Sequence, residues 1–145
     1  MYKKYFAVTL MIVCLLPNLS VAQDTRIKVD LPPMMQTHMM TNMRDHLSAL
    51  QTITHQLATQ QYDAAADTAE QRLGLSSLDA HGADHMGKFM PKEMGIIGTN
   101  MHKAASQFAI TARDAEIEGG LAKAFASLST VMQQCVACHS RYKIH

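Results

Sequence analysis

The 145-residue chain is predicted to fold as an all-α protein, four amphipathic helices forming one antiparallel up-down-up-down bundle. Three observations carry that expectation. Apolar residues recur at spacings of three and four in four separate stretches, the mark of a helix with one buried face. Prolines and glycines gather between those stretches, at Pro32-Pro33, Gly74, 82–95 and Gly119-Gly120, where chains turn. No clear strand pattern is present, and mostly short connections make neighbouring helices antiparallel.

Residues 1–22 read as a secretory signal. Lys3 and Lys4 give a positive start, Phe6 to Leu16 an apolar run too short for an ordinary membrane span, and Ser20-Val21-Ala22 a small-x-small cleavage site. Cys14, preceded by Val13, reads as filler of the apolar run rather than a lipid attachment point. Cleavage would leave 23–145 as one domain of ordinary size, exported, with no membrane span and with only Cys135 and Cys138 of the three cysteines. Basic and acidic residues number 13 and 12, and removing Lys3 and Lys4 tips the balance slightly negative. No clustered basic face argues for nucleic acid.

After a polar, extended lead-in from Gln23 to Leu31, a first helix is expected over 33–60. Proline is tolerated in its first turn, and Met40, Met43, Leu47, Leu50 and Leu57 form its seam. A second helix begins at Tyr62-Asp63, with Asp63 as N-cap and Tyr62, Ala65, Ala66, Ala69 and Leu73 buried. Residues 79–95 read as a long loop. The third helix is expected over 96–115, with Ile97, Met101, Ala104, Phe108 and Ala112 inward. The fourth spans 121–142, its stripe being Leu121, Ala124, Leu128, Val131, Cys135, Cys138 and Tyr142.

On that last helix stands Cys135-Val136-Ala137-Cys138-His139. In a c-type haem attachment site two thiols add across the haem vinyl groups and the following histidine binds iron. Positions i, i+3 and i+4 share a helix face, so the three side chains can address one flat macrocycle. A zinc site would need four ligands, and no second cysteine pair exists. A thioredoxin-like dithiol would sit at the start of a helix in a strand-and-helix fold, not at the end of a helical chain. Export supports haem attachment, which for this motif takes place outside the bacterial cytoplasm. One haem c per chain, on Cys135 and Cys138 with His139 proximal, is the expected cofactor.

The ending Cys135-Val136-Ala137-Cys138-His139-Ser140-Arg141-Tyr142-Lys143, on the last of four helices in an exported chain, resembles the class II cytochromes c, the cytochrome c′ family. The resemblance covers 23–145 in helix order, and only the C-terminal motif is specific. Lys143 stands where many members carry arginine near the proximal face. In that family the distal residue comes from early in the first helix, and matching Leu47-Ser48-Ala49-Leu50 to the family's apolar stretch puts Met40 in the distal place. Helix geometry agrees: at 1.5 Å per residue, Met40 is about 10 Å into its helix and His139 about 9 Å from the chain's end, at a similar level when the two run antiparallel. Met39 and Met43 flank Met40, and Met101 is a rival.

The resemblance implies an electron-transfer protein of the periplasm, working with a redox partner protein, and a bundle that can form a homodimer through its first two helices. High-spin relatives instead leave iron five-coordinate and bind nitric oxide or carbon monoxide. A third reading is metal handling, since His81, His85, Met86, Met90 and Met94 cluster in 79–95 and suit a lid or a soft-metal site. The plainer reading is a solvated loop, with His38, His46, His55, His102 and His145 as surface residues. No enzyme is expected, because no nucleophile and base constellation can be picked out.

Overall fold

The structure, a computed structural model, describes residues 23–118 and 120–145, without the side chains of 116–118. The expected signal, residues 1–22 with Cys14, lies outside the described residues, as does Gly119 of the last turn. The described chain is all-α apart from two short strands.

Strand β1 is Ile27–Lys28. Helix α1 then runs Pro33–Ala58, entered as the prolines require: Pro33 has no amide to leave unpaired, and the Pro32 carbonyl accepts from the Gln36 amide at 2.9 Å. Gln60 turns the chain in the left-handed region, φ 58°, into helix α2, Tyr62–Arg72. The cap position of α2 is Gln61, without a side-chain bond. Asp63 lies inside the first turn instead, where a carboxylate suits the positive end of the helix.

Residues 79–95 are more ordered than the sequence suggests. A 3-10 turn at Leu75–Ser77, a one-turn helix α3 at Ala83–Met86 and a second 3-10 turn at Gly87–Phe89 fill most of the crossing. Helix α4 covers Lys92–Glu118, beginning a turn before the expected Ile96. Met94, Ile97 and Met101 are in phase on one face, and their burial outweighs the weak helix preference of Gly95 and Gly98. Helix α5 is Leu121–Arg141, followed by β2, Tyr142–Lys143.

Helix α5 lies along α4, α4 along α2, and α2 along α1. All four share one large core containing Ile53, Leu57, Leu73, Phe108, Leu128 and Val131. Alanines at 65, 66, 69, 105, 109 and 112 keep the α2 and α4 backbones close, since no bulk separates them.

The face of α1 differs from the expected seam. It buries Met39, His46, Ala49, Ile53 and Leu57, whereas Leu47 is 70% exposed and Met40 and Leu50 are half-buried. Two apolar ridges run side by side on this helix. Small Ala49, wholly buried, selects the ridge that can approach the alanines of α2.

The two ends of the described chain meet. Strands β1 and β2 pair in parallel, Ile27 with Tyr142 and Lys28 with Lys143, and the Val29 amide donates to the Lys143 carbonyl at 2.8 Å. Val29 is buried beneath this pairing, so the polar lead-in is a clasp on the C-terminal tail.

Candidate functional site

A second, smaller core closes the end of the molecule where α1 and α4 begin and α5 ends. Val29, Met39, Met86, Met94 and Tyr142 are its buried members, with Leu31, Met35, Met43, Met90, Ile97, Cys138 and Ile144 packed around them. The chain order explains the gathering: α1 starts at this end, the crossing between α2 and α4 passes over it, and α5 returns to it. Six methionines thus line one apolar cluster beside Cys138, and unbranched thioether side chains can repack around an inserted group.

Cys135 and Cys138 are both half-buried and unpaired. Cys135 packs against the large core and Cys138 against the smaller one. Burial pushes both thiols above their ordinary pKa. A disulfide-exchanging C-x-x-C pair has the opposite environment, a thiolate stabilised at a helix start or by nearby positive charge.

His139 follows at the exposed edge of α5, and no hydrogen bond to its ring is found among the described residues. Its carbonyl accepts from the Arg26 guanidinium at 3.3 Å, and Arg26 is itself paired with Asp24 at 2.9 Å. Asp24 also meets the Lys143 ammonium at 3.3 Å; the bonds from Arg26, then Lys143, hold its carboxyl well below the usual carboxylate range. Lys143 is therefore tied to the lead-in. The Gln36 side-chain Nε2 donates to the Ile144 carbonyl at 3.2 Å, which fixes the tail to α1.

Of the expected site residues, Cys138 reaches the methionine-lined cluster, Cys135 packs against the large core instead, and His139 is exposed on α5. Met40 does not join: it is half-buried and outside the cluster, while Met39, one position earlier, is buried inside it with Met35 and Met43 on the same ridge. Met101 belongs to the large core. The rotation of α1 that brings Ala49 inward carries Met39 with it and swings Met40 aside. An apolar, methionine-lined wall beside a C-x-x-C-H segment fits a haem group, which needs a water-poor flank and soft neighbours.

Two histidines expected at the surface are buried instead. His46 is 9% exposed and His102 is 8% exposed, and His81 joins them from the crossing. The signal was helical phase: His46 is seven positions after Met39 and three before Ala49, and His102 is three before Ala105, all buried.

No helix among the described residues is long and apolar enough to cross a membrane. No family model matches the chain, no curated protein matches it, and no solved structure matches it.

Proposed function

We propose that this chain is a periplasmic c-type haem protein that transfers single electrons, built as an antiparallel up-down-up-down four-helix bundle. The observation that carries this reading is the place of Cys138: the C-x-x-C-H segment ends against the methionine cluster formed where the start of α1 meets the end of α5.

Cys135 and Cys138 would hold the group through two thioethers, and His139 would bind its iron from the proximal side. When bound, haem supplies a one-electron couple between ferric and ferrous iron. The chain's own side chains set the surroundings. Met39, Met86 and Met94 would keep water from the buried flank, and a methionine thioether bound to the iron would favour the ferrous state. Met39 is the best placed of these on α1; Met40 is the neighbour that the family resemblance selects. The clasp of Arg26, Asp24 and Lys143 would hold the segment that carries His139 in one position. The slightly acidic balance of 23–145 suits a basic redox partner protein.

The deciding experiment is expression in a host competent for cytochrome maturation, followed by absorption spectra of the purified protein, oxidised and reduced. One covalently bound haem per chain with a low-spin spectrum indifferent to carbon monoxide is expected. A colourless product would end this reading, and a high-spin spectrum that shifts with carbon monoxide would replace electron transfer by gas binding.

A further inference from the structure

Away from the cysteines, three imidazoles from three elements meet: His46 of α1, His81 of the crossing and His102 of α4. Their ring centres are 4.7 Å (His46 to His81), 5.5 Å (His81 to His102) and 6.1 Å (His46 to His102) apart. Three imidazoles sharing one tetrahedral ion at 2.0–2.1 Å per nitrogen would place their ring centres about 5 Å apart. The ring centres are thus near the separation that such an ion requires, although the rings are tilted 41–86° to one another.

The hydrogen bonds sort the nitrogens. His102 Nδ1 lies 2.7 Å from the Leu73 carbonyl; a carbonyl only accepts, so Nδ1 carries the proton and Nε2 keeps a lone pair. His81 Nδ1 is 3.3 Å from the Ser77 hydroxyl, which gives its own proton to the Gly74 carbonyl at 2.7 Å. His81 is thereby also the Nδ1-protonated form. His46 Nε2 is buried and has no hydrogen-bond partner. His81 and His102 thus have the division of labour of ligating histidines, one nitrogen donated to an oxygen and the other left bare for an ion, while among the described residues no hydrogen bond is found to the His46 ring.

His81 is also held deliberately. Its carbonyl accepts from His38 Nε2 at 2.8 Å and from the Asn42 amide at 3.0 Å, both on α1. Gly82 then takes φ 62°, and a Cβ there would come within 3.0 Å of the His38 ring, so the turn that presents His81 requires glycine. For a purely structural contact this trio is costly, because a buried nitrogen without a partner loses its hydration and regains nothing.

We propose that His46, His81 and His102 bind a nitrogen-preferring divalent ion of the zinc class through their Nε2 atoms, the fourth position being left to water. Among the described residues no such group is already set around an ion position, so binding includes rotation of the rings about their Cβ–Cγ bonds. His46 gives up no hydrogen bond in turning. This site is separate from the haem reading and does not depend on it.

The test is isothermal titration of the purified full chain, coloured or not, first stripped with a chelator, using zinc chloride, with zinc per chain counted by elemental analysis after dialysis. One zinc per chain is expected, with binding weakened at least about tenfold in each of His46→Gln, His102→Gln and His81→Asn. His55→Gln and His85→Gln, at exposed positions, should leave it unchanged. Far-UV dichroism reports whether each variant folds. Should the two buried variants misfold, His81→Asn in the crossing decides by itself. Absence of a stoichiometric zinc, or zinc that survives His81→Asn and is lost in His85→Gln, overturns the proposal.

Discussion

The amide of Val29 donates to the carbonyl of Lys143 at 2.8 Å, joining the start of the described chain to the tail that follows Cys138 and His139. Val29 is also buried in the smaller core, so the contact fixes the register of the clasp as well as closing it. Val29→Ala is expected to lower stability by about 1–2 kcal/mol and to speed hydrogen exchange of the amides around Tyr142. Exchange rates there unchanged from the parent protein would show that the clasp does not hold the tail.

The observed face of α1 can be checked by two substitutions about one and two-thirds turns apart. Ile53→Ala empties a wholly buried position and should cost about 2–5 kcal/mol. Leu47→Ala, on the ridge that the spacing pattern favours but the fold leaves in water, should change stability by no more than about 0.5 kcal/mol. Denaturant midpoints of the two variants compare them directly, and the reverse order would restore the expected seam.

Acid should weaken the metal-free protein before its carboxylates titrate. Burial first, then the neighbouring His81 and His102, push His46 down to about 4, whereas in the unfolded chain it titrates near 6.5. Above 6.5 the ring is neutral in both states and pH has no effect through it. Between about 6.5 and 4 the unfolded chain takes up a proton that the folded chain refuses, so stability falls as pH falls, by on the order of 3 kcal/mol in total. Denaturation curves across this window should show the slope, and His46→Leu should flatten it. An equal slope in the variant would place the titration elsewhere.

In the haem-loaded protein, Met39→Ala is expected to turn a low-spin spectrum into a high-spin one that responds to carbon monoxide. Met40→Ala should leave the spectrum as it is, because Met40 stands outside the cluster that holds Cys138. The opposite pair of results would return Met40 to the distal position.

Much of this was legible in the amino-acid order alone. Helical period, proline and glycine placement fixed the α class, the bounds of α1 and α5 to within about two residues and the start of α2, because those signals act locally. The C-x-x-C-H segment is equally local: Cys135, Cys138 and His139 share a helix face through spacing alone.

What the order could not decide was which of two adjacent apolar ridges of α1 turns inward, since both satisfy the same period. Ala49 joins the alanines of α2 in the large core, and that rotation puts Met39 in the smaller core with Met40 outside it and buries His46. The pairing of β1 with β2 and the meeting of His46, His81 and His102 join residues far apart in the chain. Such contacts depend on where the helices bring their ends and faces, and no local pattern encodes that. The sequence determined the helices and the chemistry each carries; only the tertiary structure decided which of those side chains face one another.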